Sequence, residues 1–125
     1  MIRGGSQSGR LDAAQAVRDG LCSVLTSDYY YPAQLHAAFA LVRAGAIGFA
    51  AAWDLISANA AAAVGLGDRG TIAVGRRADL VLVDDRDPAL PVVAATIAAG
   101  RPVYVGPSLA EHGWHPVVQR AALPA

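Results

Sequence analysis

Few residues of this 125-residue chain are equipped for chemistry, and they fall in four places. Gly4, Gly5, Ser6, Ser8 and Gly9 make a loop rich in backbone N–H groups and hydroxyls just ahead of a helical pattern. That setting suits a phosphate or phosphonate oxygen, although the pattern alone is a weak signal. Asp28 follows the apolar run LCSVLT and Ser27, and it precedes Tyr29, Tyr30 and Tyr31. From its neighbours alone it reads as a turn residue or a helix N-cap before Pro32. The tyrosines suit the rim of a substrate mouth, or packing with one wet hydroxyl edge, which is the commoner use. Asp79 invites a catalytic reading, but Asp acts locally in turns, and its expected role is to tie a turn to nearby backbone N–H groups. Among the three histidines, His36 sits inside a helical pattern as a surface or packing residue. His112 and His115 are three apart, but Gly113 and Pro116 argue against a helix that would align them on a metal.

The elements that must position these groups follow from periodicity. Residues 11–19 carry helix formers with apolar side chains at 11, 14 and 17, and Gly20 closes them. Residues 21–26 read as a brief buried parallel strand, bounded by Gly20 and by Ser27-Asp28. From Pro32, which suits a first helical position, Leu35, Ala38, Phe39 and Val42 recur at helical spacing until Gly45. Further helices are expected over 50–57 and 59–64. After the turn cluster GLGDRG, strands are expected at 78–83, 92–97 and 102–105, with Gly100-Arg101 as a hairpin turn. From Gly106 onward the pattern is irregular, with one helical turn near 117–121.

Composition bounds the function. The chain is 54% hydrophobic and only 16% charged, so most of its surface is expected to be covered. Ten basic and ten acidic residues leave no field to collect nucleic acid or an anionic membrane surface. Cys22 is the single cysteine, best read as a small buried apolar residue, so a reducing cytoplasmic setting is the default. The start MIRGGSQSGR has no apolar signal core, and the apolar stretch 46–53 is too short to span a bilayer.

Residues 70–84, GTIAVGRRADLVLVD, resemble the segment by which amidohydrolase-superfamily enzymes pass from the last barrel helix into a small flanking β-sandwich. RGGSQSG, then a helix, then SDYY, is similar to RGGSHSGN and SSDY of the PhnM-like ribose-methylphosphonate-triphosphate diphosphatase family; PAQLHAAF and the SAN at 57–59 extend the likeness. Gln7 stands where that family has His, and Arg10 where it has Asn. An amide cannot replace the basicity of His. The resemblance implies an α/β chain: the C-terminal fragment of a metal-dependent-hydrolase (β/α)8 barrel plus strands of the β-sandwich. It implies barrel segment over 1–64, sandwich strands over 65–106 and an irregular tail over 107–125.

The resemblance also implies that Asp28 ends the last barrel strand, binds the active-site metal and acts as general base for the attacking water, which displaces diphosphate. A carboxylate at the C-terminal mouth of a barrel strand points into the cavity where such work is done. Gly4, Gly5, Ser6, Ser8 and Gly9 would hold the phosphorylated ribose phosphonate substrate. The family uses a divalent metal, zinc by preference, but this chain has no Lys, three His and no H-x-H pair, so it is expected to bind none and to be inactive alone. The expected partner is an N-terminal barrel fragment, or a second copy through self-association. Two other readings stay open: a non-catalytic module completing another chain's sheet, and a fragment of a dihydroorotase-, deacetylase- or deaminase-like amidohydrolase.

Overall fold

Asp12 opens the first helix because its short side chain reaches back along the chain. Its Oδ1 accepts the N–H groups of Ala14 at 2.9 Å and Gln15 at 3.4 Å, satisfying donors that a first turn cannot pair internally. In the computed structural model, which describes residues 12–27, 29–111 and 113, this helix, α1, spans Ala13–Arg18. It is followed by α2 (Ala33–Arg43), α3 (Phe49–Asp54), α4 (Ala58–Ala63), β1 (Leu80–Asp84), β2 (Val92–Ala98), β3 (Arg101–Val105) and α5 (Pro107–Ala110). Three helices stop in one way. After α1, Gly20 adopts φ +69°, its N–H reaches Val17 O at 3.1 Å, and Leu21 N–H reaches Ala16 O at 2.8 Å. Gly45 after α2 and Gly65 after α4 repeat the pattern, which satisfies carbonyls left over at a helix end.

Four expectations need correction. Residues 21–26 form no strand: the described residues contain one sheet, and this segment is not in it. Backbone ladders need a neighbour, and among the described residues the one backbone-to-backbone bond from this segment to a later part of the chain is that of Leu25 N–H, which donates to Leu55 O at 2.9 Å. Pro32 is the N-cap of α2 and not its first helical residue. The hairpin turn is Ala99-Gly100, one residue earlier than expected, because both adopt left-handed backbone (φ 49° and 76°), as a two-residue loop of this twist requires. Lastly, the chain after Gly106 starts with α5 and is not irregular there; Pro107 at the first helical position is the local signal. The turn expected near 117–121 lies outside the described residues.

The sheet is antiparallel with order β1-β2-β3, and register shifts fall between Leu82 and Val83 and between Thr96 and Ile97. The described residues therefore form a small mixed α/β unit. Its largest apolar cluster lies among the helices: Val17, Leu25, Leu41 and Leu55 are buried together, with Cys22, Ala37, Ile47 and Ile56 partly buried against them. Phe39 meets Phe49 edge-on at 5.7 Å, and Phe49 stacks on Trp53 at 5.8 Å. Side chains fasten this part to the sheet. His36 Nε2 donates to Pro91 O at 3.1 Å, and Arg43 Nη1 donates to Pro88 O. Ser57 Oγ donates to Gly70 O at 2.8 Å. Gly70 lies so close that a Cβ there would sit 2.8 Å from that of Ala61. Among the described residues several large apolar side chains stand open: Ile72 is 91% exposed, Tyr29 89% and Leu21 81%.

Candidate functional site

Two features of the described residues could carry function: a carboxylate hub at Asp79 and a cleft beside it. The hub is built by the turn that precedes β1. Asp79 Oδ1 accepts Ala99 N–H at 2.7 Å and faces Arg77 Nε at 3.0 Å, while Oδ2 accepts Arg69 Nη1 at 3.1 Å. Next to it Gly100 N–H donates to Ala78 O at 2.8 Å. The Ala78-Asp79 pair thus grips both N–H groups of the left-handed hairpin turn. Arg69 also pairs in a fork with Asp68, Nε to Oδ1 at 2.8 Å and Nη2 to Oδ2 at 3.0 Å. That hydrogen bond holds the Asp68 carboxyl below the usual carboxylate range and raises Arg69 in return. With three donors on its two oxygens, Asp79 is committed to structure, as its expected local role implies.

The cleft, of about 750 Å³, lies between the helices and β1. Leu35, Trp53, Ile56, Ile72 and Leu80 make it mainly apolar, and Tyr31, Asp54 and Thr71 are polar points on its wall. The Asp54 carboxylate has no hydrogen bond or ion pair with another described residue, whereas the Ser57 hydroxyl is spent on Gly70 and Asp79 on its three donors. A cleft of this kind can cover an apolar body but offers no paired acid and base. Among the described residues no three His, Cys, Asp or Glu stand together as metal ligands.

Most of the residues singled out for chemistry are not among those the structure describes. Asp28, the loop residues Gly4, Gly5, Ser6, Ser8 and Gly9, the departures Gln7 and Arg10, and the pair His112 and His115 all lie outside the described residues. Of the three tyrosines beside Asp28, Tyr31 reaches the cleft, and Tyr30 lies with its ring 6.5 Å from that of His36. His36 itself packs and fastens, as expected of it. Residues missed at the level of sequence are those that hold the chain just before Asp28. Asn59 Nδ2 donates to Ser23 O at 2.9 Å, and Gln34 Nε2 donates to Leu25 O at 3.4 Å. The available signal was an amide side chain standing alone in each of two Ala-rich helices.

The family model for the Amidohydrolase family matches residues 22–104, which include the hub, the cleft and the segment ahead of Asp28. The chain belongs to the amidohydrolase family. Among curated proteins, this amidohydrolase chain is 40% identical over 89 residues to the alpha-D-ribose 1-methylphosphonate 5-triphosphate diphosphatase of Escherichia coli (strain K12). That match covers 70% of this chain and 24% of the diphosphatase. It is also 56% identical over 52 residues to the adenine deaminase of Methylobacterium sp. (strain 4-46), and 55% over 53 residues to that of Methylobacterium nodulans, each covering 42% of this chain and 9% of the deaminase. The chain thus spans about a quarter or less of the length of the curated relatives it matches. No solved structure matches it. Among the described residues no helix is long and apolar enough to cross a membrane.

Proposed function

We propose that this chain is the C-terminal portion of a metal-dependent hydrolase acting on a phosphorylated ribose phosphonate, and that it needs an N-terminal barrel segment to do so. The observation that carries the reading is the likeness to the diphosphatase over 70% of the chain. The adenine deaminase matches are higher in identity but cover only 42%. Asp28, after the apolar run 21–26, would supply a carboxylate to help hold a divalent ion and to accept a proton from the attacking water. The loop Gly4, Gly5, Ser6, Ser8 and Gly9 contributes N–H groups and hydroxyls to the phosphate chain.

The test is reconstitution. Co-expression with the N-terminal barrel segment of a diphosphatase relative is expected to yield a complex that releases diphosphate from the ribose phosphonate triphosphate. Asp28→Asn in that complex should lower the rate by at least about 100-fold, the scale of a lost general base. Undiminished hydrolysis by the Asn variant removes Asp28 from the chemistry. The shorter, closer likeness to adenine deaminases favours a second reading, in which the same complex releases ammonia from adenine and leaves the triphosphate intact.

A further inference from the structure

The two ends of β1 differ in charge. At its start, Arg69, Arg76, Arg77 and Arg101 meet only two carboxylates, Asp68 and Asp79. The bond from Ala99 N–H to Asp79 holds this group together, because it draws the hairpin that leads into Arg101 against the turn before β1. At the far end the balance is reversed. Asp84, Asp85, Asp87 and Glu111 outnumber Arg86, which forks onto Asp84, and Arg43, which reaches Pro88 O. The Arg86 guanidinium is raised by its hydrogen bond to Asp84 and, more weakly, by the charge of Glu111, which places Glu111 in the acidic group. Five residues of strand hold the two groups about 15 Å apart, beyond the roughly 10 Å screening length at 0.1 M salt. They are separate patches.

Exposed apolar side chains join them into a strip. Ile72 and Val74 stand almost wholly open on the turn of the arginines, Leu90 and Val92 on that of the carboxylates, and Val81 and Leu82 between. We infer that this strip is where a second copy of the chain docks, with its β1 reversed, so that the arginines of each copy face the carboxylates of the other. A two-fold axis perpendicular to β1 brings both pairs of unlike ends together at once, whereas a parallel copy sets like against like. The apolar strip supplies the contact area and the charges set its direction. A partner of one sign, such as a nucleic acid, meets attraction at one end and repulsion at the other. A second copy meets attraction at both, and ten basic against ten acidic residues add no net repulsion between copies. The inference does not depend on the hydrolase reading.

Sedimentation velocity on the whole chain tests this. A dimer is expected that weakens roughly tenfold between about 0.05 M and about 0.5 M salt, as exposed charges are screened. Arg76→Glu and Asp85→Arg alter exposed side chains that bond to no other described residue, so each should keep the circular dichroism of the parent. Each alone sets like charges opposite one another twice and should weaken the dimer at least about tenfold. Mixed in equal amounts, the two variants should form a heterodimer close to the parent in affinity, since every contact is again between unlike charges. The inference is overturned by a monomer at every salt concentration, by a dimer that neither reversal weakens, or by variants that stay apart on mixing. Growth into longer assemblies also overturns it, because that requires a head-to-tail contact.

Discussion

Residues 21–27 and β1 (Leu80–Asp84) are close in composition and opposite in fate. LCSVLT and LVLVD are both short apolar runs with β-branched centres, each suited to a strand. β1 becomes one because β2 lies 12 residues away in sequence order from Leu80 to Val92, close enough to fold back and pair from Leu80↔Ile97 to Asp84↔Val92. Residues 21–27 find helices on one side and, among the described residues, no strand on the other. Burial does not separate the two, since Leu25 is buried in the helical cluster while Val81 and Leu82 of β1 are 48% and 40% exposed. A strand is made by its neighbour's backbone, and apolar composition only permits it.

Several measurements can break or sharpen that contrast. Leu55→Ala is expected to have the largest effect, about 2–5 kcal/mol of lost stability, because it empties the cluster that Leu25 enters. Urea unfolding should show the loss, and exchange should show residues 21–27 loosened ahead of β1. If β1 and residues 21–27 loosen together, the two regions are one cooperative unit. Asp79→Ala strikes the other region. It leaves Ala99 N–H and Arg77 without this acceptor and Arg69 with Asp68 alone, and should cost roughly 1–3 kcal/mol, read from the same unfolding curves. Asp79→Asn, which keeps an oxygen for Ala99, should lose less.

A gain is expected at the turn itself. Ala99 is the one non-glycine residue described with positive φ, and Ala99→Asn places there a side chain that tolerates the conformation. Stability should rise by about 0.5–1 kcal/mol, seen as a higher unfolding midpoint with the slope unchanged. The smallest effect is that of acid. The folded-state value of Asp68 is depressed by Arg69, so its contribution is present above its ordinary value of 3.8 and fades as pH falls through the lowered one. Unfolding midpoints should therefore show no Asp68 signature from neutral pH to about pH 5, with a decline only below that. Asp68→Asn should flatten the decline, and a variant with the same acid profile as the parent would remove Asp68 as its source.

Much of the local architecture is legible in the residues. Gly20 and Gly45 mark helix ends because a left-handed residue there serves two carbonyls whatever surrounds it. The role of Asp79 is legible only in kind, as a carboxylate that takes backbone donors, because the donor it takes, Ala99 N–H, lies 20 residues away. Pro107 carried a helix start that the irregular tail around it concealed. The candidate site is another matter. Asp28 and the Gly4–Gly5–Ser6–Ser8–Gly9 loop are picked out only by the likeness of their motifs, for a single carboxylate and a Gly/Ser loop occur in many chains. Arg69, Asn59 and Gln34 could not be read at all, because each acts on a partner 9 to 36 residues away.

What the sequence alone determined is the family, the helix stops and the hairpin, all of which depend on residues near one another in the chain or on a continuous motif. What only the tertiary structure decided is the state of residues 21–27. Whether an apolar run is a strand depends on which backbone groups lie beside it, and those groups belong to Leu55, Asn59 and Gln34, brought there by the packing of helices on Leu25 and Leu41.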